Sequence, residues 1–140
     1  MYLAAGLPLN GMTYCVPSRY GYLYSHIIQA RIQATEYAQR LTKEKDEYAL
    51  RDSIISKDFR HRMGAAFTFG MQLRAEEGLF KLIADADPLV SQAGREAAVY
   101  ISKHKYKEST DYGPFPAYTM IQKEQAATNW RRYFLYMSSK

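Results

Sequence analysis

The sequence predicts an all-α protein: four or five helices, an irregular apolar N-terminal arm, and an aromatic Pro/Gly loop at 106–118. Three observations carry this. After Ser18, apolar residues recur at three- and four-residue steps, which is the helical period. Two helix starts are written in cap chemistry, at Asp87-Pro88 and at Thr119 with Gln122. Strand-like alternation is scarce throughout.

Residues 1–18 are read as an extended arm, and 19–140 as a single helical domain. Gly6, Pro8, Gly11 and Pro17 interrupt the arm too often for a helix or a central strand. Yet Tyr2, Leu3, Leu7, Leu9, Met12, Tyr14 and Val16 make it apolar, unlike a disordered tail. Such an arm lies against its own domain or against another chain.

Ser18 offers a cap for a long helix over 19–50. Tyr20, Leu23, Tyr24, Ile27, Ile28, Ala34, Ala38 and Leu41 supply its apolar face, and the charged run Lys43–Glu47 continues it without a breaker. Asp52 is the expected cap of a helix over 52–63 through Ile54, Ile55, Phe59 and Met63, with Gly64 ending it. A third helix is expected over 66–85. Gly70 and Gly78 weaken it by about 1 kcal/mol each relative to alanine, while allowing close backbone approach. Asp87-Pro88 opens a helix over 88–103, lined by Val90, Ala93, Ala97, Ala98 and Ile101. Gly113-Pro114 and Pro116 force the loop. The last helix, 120–137, starts from a Thr119/Gln122 capping box and takes its apolar bulk from Ile121, Ala126, Trp130, Tyr133, Phe134 and Met137.

Composition narrows the function classes. At 140 residues the chain has one domain's worth of core, and no apolar run approaches the ~20 residues of a membrane span. The single Cys15 excludes an internal disulfide framework and a multi-cysteine metal site. Nineteen Lys and Arg against 14 Asp and Glu leave a charge of +5, mild enough to steer anionic neighbours without demanding nucleic acid. Thirteen tyrosines suit half-buried and interfacial positions, where a broad ring and a hydroxyl are both used. The first carboxylate is Glu36, and an acid-free start bearing Arg19 and Arg31 is compatible with a mitochondrial targeting segment.

The stretch Phe80–Ile101, with its Asp85-Ala86-Asp87-Pro88 turn and its small residues Ala93 and Ala97, resembles the second half of a HEAT-type helical repeat. The resemblance extends over about 67–103 and has no second copy along the chain; Ser91 stands where the family often has arginine. It implies a helical scaffold for protein contacts and no chemistry.

Catalytic signals are weak. Asp58 and His61 stand at i, i+3, the spacing of one half of a di-iron motif, but the other half is missing and Arg60 and Arg62 flank the pair. Cys15 has no cation nearer than Arg19 to lower its pKa, and His26 and His104 belong to no ligand pattern. No phosphate-cradling glycine loop or nucleophile elbow occurs. The expectation is therefore no enzyme, no cofactor and no metal.

Two basic clusters remain. Lys103, Lys105 and Lys107 form a candidate anion patch for acidic protein or lipid headgroups, at a helix end where cations are also favourable for the dipole. Trp130-Arg131-Arg132-Tyr133-Phe134 interleaves rings and guanidiniums, as protein interfaces and single-strand binders both do. The expected partner-contact residues are Tyr14, Tyr20, Tyr22, Tyr24, Tyr112, Phe115, Tyr118, Trp130, Arg131 and Arg132. The reading that unites these features is a structural or accessory subunit of a hetero-oligomeric assembly, foremost a mitochondrial respiratory or ATP-synthase complex. A microtubule-associated protein, a virion structural protein and a small basic nucleic-acid binder are the alternatives.

Overall fold

The computed structural model describes residues 21–140, with side chains from Ser25 onward. Among the described residues there are six helices and no strand: α1 Gly21–Glu44, α2 Glu47–Ile54, α3 Phe59–Met71, α4 Glu77–Ile83, α5 Pro88–Tyr106 and α6 Met120–Ser138. The all-α class stands, but the helix count and several boundaries differ from expectation. The arm at 1–18, with Tyr14 and Cys15, and Tyr20 beyond it, lie outside the described residues. So do the side chains of Tyr22 and Tyr24.

The expected 19–50 helix breaks at Lys45, which takes a left-handed φ of 53°. Asp46 then caps α2, its carboxylate accepting the Ala49 N–H at 3.0 Å. The reason is tertiary. Leu41 and Leu50 are both buried, yet nine residues at about 100° each would place them on opposite faces of one continuous helix. The break turns Leu50 back to the core.

Asp52 caps nothing; it is an exposed residue inside α2. Asp58 caps α3 instead, accepting the Arg60 N–H at 2.9 Å. Gly64 does not end a helix. It sits inside α3, where a Cβ would stand 2.7 Å from the Tyr37 ring and 3.2 Å from the Ala34 carbonyl oxygen. Glycine is needed there because α1 crosses α3 at that point. The expected 66–85 helix divides at Leu73, also left-handed with φ 55°, where the Arg74 N–H reaches back to the Phe69 carbonyl at 2.9 Å. That closure satisfies carbonyls at the end of α3 in the manner of a glycine-type C-cap, with leucine in the left-handed position.

The two cap-encoded starts are found where expected. Asp87 accepts the Leu89 N–H at 2.8 Å, and Thr119 and Gln122 form a reciprocal capping box. α5 runs to Tyr106, three residues past the expected end, and closes on Lys107 at φ 59°.

α3 is the central helix, buried without interruption from Met63 to Gly70. α1, α5 and α2 all pack against it, and α6 packs against α4. At Gly94 the α4–α5 hairpin closes so tightly that a Cβ would lie 2.9 Å from the Ile83 nitrogen. Arginines clip the elements together: Arg31 to Glu96 joins α1 to α5, Arg62 to Asp85 joins α3 to the α4–α5 turn, and Arg74 to Glu47 ties the α3–α4 link to α2. The Arg31 pair is nearly dry, with Gln92 donating to the same Glu96 carboxylate at 3.1 Å and the Arg31 guanidinium 5.2 Å from the centre of the Phe67 ring.

Candidate functional site

The loop between α5 and α6 is held from both sides. Asp111 accepts the Gly113 N–H at 3.0 Å and receives a two-pronged clasp from Arg95 on α5, at 2.6 Å for the closest contact. From α6, the fully buried Trp130 donates its indole N–H to the Gly113 carbonyl at 2.7 Å. Gly113 and the cis-linked Pro114 are buried by this grip. Tyr112 then stands edge-on to Trp130 at 5.1 Å and to Tyr133 at 5.9 Å. Phe115 lies under the Arg95 guanidinium at 4.4 Å and meets Tyr118 edge-on. A loop rich in rings is thus an ordered extension of the helical core.

This separates the expected contact residues. Trp130 cannot meet a partner, because it is the internal anchor of the loop; a single buried donor with one carbonyl partner is the economical use of an indole. It stacks on Phe134 at 5.5 Å, as their shared helix face requires. Arg131 is committed to Glu77 on α4 and lies over the Phe80 ring at 5.2 Å. Its hydrogen bond holds the Glu77 carboxyl below the usual carboxylate range, and the pairing raises the guanidinium in turn. Tyr112 and Phe115 keep about two-fifths of their surface in solvent, and Tyr118 is half-buried. Arg132 is exposed, and among the described residues no acid lies within ion-pair distance of it.

Around Arg132 the structure assembles a shallow depression of about 310 Å³, lined by Tyr112, Asn129, Tyr133 and Tyr136. Leu135 and Tyr136 continue it along the outer side of α6, at 70% and 62% exposure. Burial pushes the Tyr133 phenol up; the Thr110 and Ser102 hydroxyls oppose the shift without reaching hydrogen-bonding geometry. Leu135 and Tyr136 were not expected as contact residues. The signal was available: Arg132 and Tyr136 are four apart and share a face opposite the Trp130–Phe134 core seam. Ile121, expected to add apolar bulk to the last helix, is 78% exposed, and Ile55 is equally bare.

The remaining candidates resolve as follows. Lys105 donates to the Leu73 carbonyl and Lys107 to the His104 carbonyl, both at 3.3 Å, so two of the three lysines of the anion patch serve helix ends; Lys103 is exposed. Both oxygens of Asp58 are clasped by Arg60, which holds its carboxyl below the usual range, while His61 stacks on Tyr37 at 4.7 Å. Among the described residues no three His, Cys, Asp or Glu side chains gather into a metal site, and no helix is long and apolar enough to cross a membrane.

Against known proteins, no family model, curated protein or solved structure matches this chain.

Proposed function

We propose that the protein is a non-catalytic structural subunit that acts through protein–protein contacts, with the outer face of α6 as its docking surface. The observation that carries this is the Arg132 depression with Tyr112, Tyr133 and Tyr136, continued by the bare Leu135. Rings that bring large area at low entropic cost, beside an arginine without an internal acid, are the chemistry of interface anchors. The occupant this surface suits is a protein segment with a carboxylate next to apolar side chains. The α4–α5 hairpin, whose Asp-Pro corner carries the resemblance to a HEAT-type repeat, packs against α6 mainly through α4.

Single-stranded nucleic acid suits the surface less well. Arg131 is engaged by Glu77, which leaves one guanidinium in a five-residue segment that a nucleic-acid groove would need to be multiply charged. The assembly we favour is a mitochondrial respiratory or ATP-synthase complex, on the strength of the acid-free N-terminal stretch.

The test is native purification of the full chain with mass spectrometry of its stoichiometric companions, repeated for Arg132→Glu combined with Tyr136→Ala. The variant should release the companion while Glu44→Lys, on the far end of α1, retains it. A monodisperse monomer from native cells, or equal retention by both variants, overturns the reading. The identity of the companion decides between a mitochondrial, a microtubule and a virion assembly.

A further inference from the structure

A second cavity shares no lining residue with the Arg132 depression. It encloses about 240 Å³ between the first turns of α5 and the 114–118 segment. Pro88, Pro114, Phe115, Pro116 and Tyr118 give it apolar walls; Ser91 and Gln92 add polar atoms on the α5 side. Arg95 closes one edge, but its charge is balanced by Asp111.

Lys123 also lines it, and Lys123 is 92% buried, which is unusual for this residue type. Its ammonium donates to the Asp85 carbonyl at 3.1 Å and the Ala86 carbonyl at 3.2 Å, just past the end of α4. Those are two of its three protons. Among the described residues no carboxylate lies within ion-pair distance: Asp85, the nearest in sequence to those carbonyls, is held by Arg62 through both oxygens. Carbonyl dipoles solvate part of a buried positive charge, and a buried charge without a counter-ion is costly. The cavity thus joins apolar walls, a proton donor in reserve and an uncompensated cation.

We propose that this cavity is a binding site for a small monocarboxylate with a compact apolar body, an aromatic or branched acid, whose carboxylate takes the third proton of Lys123. The volume sets the class. It falls below the roughly 300 Å³ at which pockets for drug-sized ligands begin. It admits one ring with a short acid arm and excludes a nucleotide or a long acyl chain. The charge sets the head group, and the proline and aromatic walls set the body. This site does not depend on the α6 surface, so the failure of either reading leaves the other standing.

The probe is phenylacetate titrated into the full, isotopically labelled chain and followed by amide and side-chain NMR. Neutral phenylacetamide and acetate are titrated in parallel. Saturable shifts confined to Ser91, Gln92, Phe115 and Tyr118 are expected with phenylacetate, with half-saturation in the millimolar range. Phenylacetamide and acetate should each bind at least tenfold more weakly. Lys123→Met should abolish the phenylacetate response while Lys123→Arg keeps it within a few-fold. Should Lys123→Met fail to fold, Phe115→Ala, which removes a wall without touching the cation, should weaken phenylacetate by a similar factor. Equal shifts with the acid and its amide, or no saturation by any probe, would show that Lys123 only caps the end of α4 and would overturn the proposal.

Discussion

The α1–α3–α5 layer and the α6–loop end are built from different materials. In the first, small residues do the work. Ala34, Gly64, Ala65, Ala66, Ala97 and Ala98 let backbones come close, and the largest polar device is the Arg31–Glu96 pair shut between α1 and α5. In the second, rings do it. Trp130, Tyr133, Phe134 and Tyr112 form a chain of edge and stacked contacts, and one indole hydrogen bond fixes a loop 17 residues distant in sequence. Alanine packing consumes its surface completely. Aromatic packing does not, because a ring can bury one edge and present the other. The same construction that secures the loop therefore leaves Tyr112 and Tyr136 at the surface, beside Arg132.

That contrast can be broken at its heaviest point first. Trp130→Ala removes the ring from the aromatic end and the only indole grip on Gly113; a loss of about 3–5 kcal/mol is expected in urea unfolding. Trp130→Phe separates the two parts: it keeps most of the bulk and should cost about 1–3 kcal/mol, the penalty of a buried carbonyl left without its donor. If the Phe variant is as damaging as the Ala variant, the loop is held by the hydrogen bond and not by packing.

In the layered half, Glu96→Gln takes the carboxylate out of the nearly dry pair with Arg31 and should cost about 3 kcal/mol. Replacing both, Arg31→Met with Glu96→Leu, should recover most of that loss. A double variant as unstable as the single one would show that the pair contributes more than apolar packing of similar volume.

The exposed clips should matter least. Arg131→Met removes a pair whose partners are both well exposed, so less than about 1 kcal/mol is expected. Glu77, Glu47 and Asp58 all have folded pKa values lowered by arginine hydrogen bonds. The sign follows: the folded state holds these protons less tightly than the unfolded chain, so their contribution is present above the ordinary carboxylate range and fades as pH falls through the lowered values. Thermal melts should show a decline in Tm that begins near pH 4.5 and steepens below it, and Glu77→Gln should make that decline shallower. A Tm flat to pH 3 would show that these surface clasps contribute nothing.

Some of this was legible without coordinates. The Asp87 and Thr119 caps act over two or three residues, so the starts of α5 and α6 could be read from the residues themselves. The Trp130–Phe134 seam followed from four-residue spacing. The Lys45 and Leu73 breaks could not be read, since neither is glycine and neither is followed by proline. Nor could the fate of Arg131 and Lys123, which depends on Glu77 and on the Asp85 and Ala86 carbonyls, distant in sequence. The Arg132 depression was half visible: Tyr112 and Arg132 stood out as residues, but nothing local said that the loop would set them side by side.

The amino-acid order alone determined that this chain is helical, where its last two helices begin, and that a proline- and ring-rich loop parts them. Those properties are settled by dihedral preferences and by bonds that close within one turn. Only the tertiary structure decided where the first helices break, which arginines are spent inside and whether Arg132 faces out. Those outcomes turn on burial, and a residue is buried only when segments far along the chain arrive to cover it.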